Sequence, residues 1–187
     1  MNPAAQFPLE ELTTPEVWEQ LHVQVFRVRD GVRQLDSFLI QNENVTPLGV
    51  GFGGYGIMSM CVTDLDADGQ PELAFTYSWG SGIHRSHLCV WTGGSAWVDA
   101  AVALRDYDLS LSKMDGHGVQ LDYGTYDPGT NKVSVTGTFG DIIYTKTSGK
   151  PELSVRLRQG LPRDVEQCAW ASKPTTNPAQ PSTRSGK

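Results

Sequence analysis

The chain has 187 residues, with 21 acidic against 15 basic side chains and a formal net charge of −6; its isoelectric point lies near 5.1. That balance argues against a nucleic-acid surface, which needs a basic patch, and against attraction to anionic lipid. Twenty glycines and eleven prolines with only 19% charged residues point to strands and turns rather than a helical bundle.

The length suits one domain that buries its own core. The expected organisation is an N-terminal arm at 1–12, a single β-rich domain at 13–170 and a disordered Pro/Ser/Thr-rich tail at 171–187 with no apolar anchor. No apolar run reaches the roughly 18 residues of a membrane helix, and the opening residues lack the basic-then-apolar pattern of a secretory signal. A soluble chain without membrane insertion is the expectation. Cys61, Cys89 and Cys168 have no close-spaced thiolate pattern, which leaves no zinc ribbon or thioredoxin-like motif. At most one internal disulfide is possible, and Cys61 and Cys89, in β runs either side of the acidic loop, read as free, buried thiols in preference to that pair.

In chain order, Thr13-Thr14-Pro15-Glu16 is a helix start: a hydroxyl for the cap, proline pre-set at the first helical position, an acid in the first turn. Trp18 and Leu21 are the expected anchors of this short helix. From His22 the pattern alternates, with Val23, Val25 and Val28 assigned to one strand face and Gln24, Arg27 and Arg29 to the other. Asp30-Gly31 signals a hairpin into a strand within residues 32–41. Gly51, Gly53 and Gly56 match G-x-G-x-x-G, but a β run follows where a dinucleotide site needs a helix, so the segment reads as a flexible or bulged connection.

Two β runs, IMSMCVT and ELAFTYSW, flank Asp64-Leu65-Asp66-Ala67-Asp68-Gly69-Gln70-Pro71-Glu72. Asp64, Asp66 and Asp68 stand at positions one, three and five, Gln70 offers a carbonyl at position seven, and Glu72 closes at position nine. Four carboxylates this close repel one another unless a cation lies among them, and Ca²⁺ takes six to eight oxygens in flexible geometry. An EF-hand is excluded because the flanks are strands and position twelve is Phe75 rather than a bidentate Glu. Leu65 and Leu73 are expected to point into the core and pin both ends. The run from Val62 to Leu73 resembles the D-x-D-x-D-G-x-x-[DE]-L loop of FG-GAP and VCBS-type repeats, found in integrin α-chain propellers and bacterial surface proteins. The resemblance covers about thirty residues, and two departures accompany it: only one good copy is present, and the chain is too short for a seven-bladed propeller. It implies Ca²⁺ held by Asp64, Asp66, Asp68 and Glu72 with the carbonyl of Gln70, and suggests an extracytoplasmic setting.

Beyond the loop, Ser81, His84, Arg85 and His87 form a polar cluster that reads either as a hairpin tip or as a ligand-binding site beside the cation. AWVDAAVAL fits a strand or a helical turn equally. VQLDYGTY and KVSVTGTF alternate around Asp127-Pro128-Gly129-Thr130-Asn131, a strong hairpin signal. Ser148-Gly149-Lys150-Pro151-Glu152-Leu153 echoes Asp68-Gly69-Gln70-Pro71-Glu72-Leu73, as two related hairpins would, though chance explains it as well. LPRDVEQCAW reads as a short helix.

The expected fold is therefore mainly β, with an antiparallel meander or sandwich, or propeller-blade-like sheets, and a short N-terminal helix. The expected function is a non-enzymatic calcium-binding domain in which the ion staples a hairpin and an adjacent polar turn binds a protein or small polar ligand. The competing expectation is a metal-assisted hydrolase or transferase using His84 or His87 with Arg85. No nucleophile elbow or H-E-x-x-H motif accompanies that second reading.

Overall fold

The alternating runs become strands in the computed structural model, which describes residues 9–28, 37–48, 54–80, 85–94, 97–116, 118–147 and 149–171. The chain enters as β1 (Leu9–Glu11), α1 (Pro15–Leu21), β2 (Gln24–Val28), β3 (Ser37–Gln41) and β4 (Asn44–Pro47). It continues through β5 (Gly56–Thr63), β6 (Glu72–Trp79), β7 (Arg85–Trp91) and β8 (Trp97–Arg105). After these come β9 (Asp108–Lys113), β10 (Val119–Asp127), β11 (Lys132–Thr147), β12 (Lys150–Leu157), α2 (Arg163–Cys168) and β13 (Ala169–Ala171). Within the expected arm, residues 9–11 pair with β2. The Asp30-Gly31 turn and most of the glycine-rich stretch lie outside the described residues. AWVDAAVAL resolves as strand.

The strands form three antiparallel sheets, ordered β1-β2-β3-β4, β13-β8-β7-β6-β5 and β12-β11-β10-β9. The five-stranded sheet is the central layer. Along β6, Ala74 packs into a core shared with Leu109, Leu121, Phe139 and Tyr144 of the third sheet. Leu73, Phe75 and Tyr77 face the other way, into a core shared with Val23, Val25 and Leu39 of the first sheet and Val17 of α1. Period-two side-chain alternation thus feeds two cores from one strand, which explains why ELAFTYSW and LCVW read as nearly continuous apolar runs. Cys61 and Cys89 belong to opposite faces, one in each core. Burial raises the Cys61 thiol to about 11, only partly offset by Lys113, and burial likewise lifts Cys89 well above the usual thiol range. Neither thiol is therefore expected to react with a thiol-specific reagent at pH 8 until denaturant is added, as peptide mapping of the labelled chain would check.

Helix α1 starts as its sequence dictates: the Val17 N–H donates to Thr14 Oγ1 (3.3 Å) and Pro15 takes the first turn. Its buried anchor is Val17, whereas Trp18 is half exposed and Leu21 packs at the margin of the core. The helix is two turns long, and its buried line runs through Val17 and Leu21, an i, i+4 pair, which turns Trp18 outward. The assignment of faces in β2 also changes. Strict alternation puts Arg27 on the inward side with Val23 and Val25, and Arg27 is 1% exposed.

Arg27 joins all three sheets. Its Nε and Nη2 donate to Glu10 Oε2 of β1 at 3.2 and 2.8 Å. Nη1 lies within donating distance of the Tyr55 and Ile57 carbonyls (3.2 and 2.9 Å) and of Tyr126 Oη on β10 (2.8 Å). Nη2 also donates to Asn131 Oδ1 (2.9 Å) in the turn before β11. Burying a guanidinium is costly unless its donors are matched, and here the fork is matched on each side.

Candidate metal centre

The acidic segment is the connection between β5 and β6, closed by the Thr63–Glu72 backbone pair. Ala67 (φ 58°) and Gly69 (φ 86°) both take left-handed backbone and turn the loop back on itself. The Asp68 and Gly69 N–H groups donate to the two oxygens of Asp64 (both 3.0 Å). The Gln70 N–H donates to Asp68 Oδ1 (2.9 Å), and the Leu65 N–H donates to Glu72 Oε2 (2.9 Å). Leu65 and Leu73 pin the ends as expected: Leu65 packs against one core and Leu73 is fully buried in the other.

Asp64, Asp66 and Glu72 each bring a carboxylate oxygen to within 4.8 Å of the others, the one such group of three metal-ligating side chains among the described residues. Oxygens at that spacing fit around one calcium ion, whose bonds are about 2.3–2.6 Å. Asp68 stands beside this trio, and Gln70 is exposed on the loop. Asp66 is the sharpest feature. Its side chain is only 8% exposed, and its Oδ1 is buried without a hydrogen-bond partner, an arrangement that costs free energy unless something positive completes it.

The residue that sequence reading missed is Lys146. Period-two alternation places Ile142, Tyr144 and Lys146 on the inward face of β11, the first two in the core. The same rule turns Glu72 toward the third sheet, together with Ala74. The two faces meet at the loop. Lys146 Nζ lies 2.8 Å from Asp68 Oδ2, 2.8 Å from Glu72 Oε1 and 3.3 Å from Asp66 Oδ2. Burial alone would lower the amine, but its hydrogen bonds to Asp68, Glu72 and Asp66 outweigh that and hold it above the ordinary lysine value. The bond from Lys146, with that from the Gln70 N–H, holds Asp68 below the usual carboxylate range. Lys146 also lies over the Tyr144 ring, 5.7 Å from its centroid. The Tyr144 hydroxyl is buried without a partner, and burial, partly offset by Lys146, raises it to about 12.

The polar cluster downstream is elsewhere. Trp79 pairs with Arg85, so the β6–β7 connection sits at the opposite end of β6 from the acidic loop. Eight strand residues at about 3.3 Å each put the two turns roughly 25 Å apart. Consecutive turns of a meander must alternate ends, so the expected adjacency of loop and polar turn does not arise. Ser81 and His84 lie outside the described residues. Arg85 is exposed, and His87 stacks on Tyr77 with Nδ1 3.5 Å from Asp99 Oδ2. Two further carboxylates serve the interior: Asp108 accepts from the Tyr126 N–H (2.8 Å) and Asp122 from Ser112 Oγ (2.6 Å).

Comparison with known proteins yields no matching family model, no matching curated protein and no matching solved structure. Among the described residues no helix is long and apolar enough to cross a membrane.

Proposed function

We propose that this chain is a calcium-binding β domain in which the ion is structural, held by Asp64, Asp66 and Glu72 with Asp68 and the Gln70 carbonyl completing the shell. The observation that carries the reading is the convergence of three carboxylates on one point with a buried Asp66 oxygen left unpartnered. The loop's likeness to FG-GAP and VCBS-type sequences supports calcium over other hard cations. The separation of the loop from His87 and Arg85 along β6 favours a staple over metal-assisted chemistry, because a metal-activated water would form far from those side chains.

Weak sites of this ligand class bind at about 10⁻⁴–10⁻³ M. At tenfold that concentration, calcium should stabilise the native state by about 1.4 kcal/mol, a rise of roughly 3–6 °C in Tm for a domain of this size. Thermal unfolding in calcium against chelator is the test, and Asp66→Ala is expected to erase the shift. A wild-type chain with the same Tm in both conditions and no calcium uptake in titration calorimetry would defeat the reading.

A further inference from the structure

Resting on that calcium reading, we propose that Lys146 is a built-in counter-cation of the acidic loop, and that a divalent ion enters by displacing its ammonium from Asp66, Asp68 and Glu72. Metal binding and the Lys146 link between hairpin β5–β6 and strand β11 are then alternatives.

The donor count makes the first half of the case. An ammonium has three N–H donors; Lys146 donates to Asp68 and Glu72 at 2.8 Å each and makes an ion pair with Asp66 at 3.3 Å. These contacts occupy the amine but do not satisfy the loop. Asp66 Oδ1 remains buried and unpartnered, and Asp64 receives only backbone N–H donors. One positive charge also offsets only part of four carboxylates. The loop has more oxygens and more charge than a single ammonium can use, which is the deficit a divalent ion with six to eight ligands fills.

Geometry makes the second half. The ammonium is bonded to Glu72 and Asp66, two of the three residues whose oxygens converge. An ion held by those residues would sit against the same carboxylates that hold the amine, and two cations brought that close repel one another strongly. Lys146 has somewhere to go: its side chain is 29% exposed, and its long flexible stem can swing outward while Tyr144 stays buried. If the ammonium holds the loop for 90–99% of the time, apparent calcium affinity falls by about ten- to a hundredfold.

The experiment uses the full chain, stripped of metal, with calcium chloride as the probe. Calorimetry compares wild type, Lys146→Met and Lys146→Arg, and mass spectrometry follows acylation of Lys146 by an amine-reactive reagent with and without calcium. Lys146→Met is expected to bind calcium about ten- to a hundredfold more tightly than wild type, Lys146→Arg to stay near wild type, and calcium to speed acylation of Lys146 in the wild-type chain. Calcium binding by Lys146→Met with none detectable in wild type would also support the displacement. Equal affinities in wild type and Lys146→Met, or acylation that saturating calcium leaves unchanged, would overturn the displacement while the calcium site stands. Absence of binding in all three chains would overturn both. If Lys146→Met fails to fold, the acylation experiment on wild type decides alone.

Discussion

Arg27→Met is expected to cost about 3 kcal/mol or more of stability, the loss seen when one member of a buried ionic network is removed. Methionine fills most of the volume but donates nothing. The Ile57 carbonyl, Tyr126 Oη, Asn131 Oδ1 and the Glu10 carboxylate would all lose their shared charged donor; Tyr126, Asn131 and Glu10 keep their bonds to one another, but a buried network stripped of its cation carries a desolvation cost. Glu10 is 25% exposed and can recover some hydration, which sets the figure at the lower end of the range. In Tm the change is on the order of 10 °C, measurable by thermal or urea unfolding. Arg27→Lys should recover less than half of it, because a single ammonium cannot reproduce the guanidinium fork that reaches β1, β5 and β10 together. A loss below about 1 kcal/mol in Arg27→Met would mean that the three sheets hold without this junction.

Gly124→Ala is expected to be comparably damaging for a different reason. Gly124 sits beside an irregularity in the β10–β11 register, where the strands approach so closely that a Cβ would lie 2.0 Å from the Ser134 carbonyl oxygen. The obstacle is backbone and cannot rotate away. Relief requires β10 and β11 to separate, and β11 carries Phe139 and Tyr144 in the core. Overpacking ordinarily costs about 1–3 kcal/mol, and an immovable neighbour puts this site at or above the top of that range. Gly149→Ala supplies the contrast: its Cβ meets no atom within 4 Å, and only its left-handed backbone (φ 77°) resists the change, a cost of about 1 kcal/mol. Urea denaturation of both variants separates the cases, and a Gly124→Ala loss no larger than that of Gly149→Ala would contradict the close approach.

The sequence carried the local physics of this molecule well. The Thr14-Pro15 cap, the hairpin around Asp127–Asn131 and the acidic loop between two β runs all follow from residue type and spacing, and each is present in the fold. What it could not carry was the meeting of distant segments. Alternation alone would have put Arg27 inside with Val23 and Val25, yet hydropathy assigned an arginine to the solvent side, since a buried guanidinium depends on partners in four separate stretches of chain. Trp18 failed conversely: its size suggested burial, while the helix is too short to turn both it and Val17 inward. Lys146 had no local signature, being one more lysine near a hairpin tip. Arg85 and His87 lie away from the acidic loop because nearness in sequence is not nearness in a meander, where each strand carries the chain to the opposite end.

Lys146 lies 78 residues after Asp68 and 74 after Glu72, and that order bears on how the chain is made. A polypeptide grows from its N-terminus, so the four carboxylates emerge long before the amine that will neutralise part of them. The β5–β6 hairpin is therefore made before the Lys146 ammonium that pairs with its carboxylates. If the loop binds calcium as proposed, the ion can meet it before the lysine does; without calcium, the hairpin waits for β11 to close it.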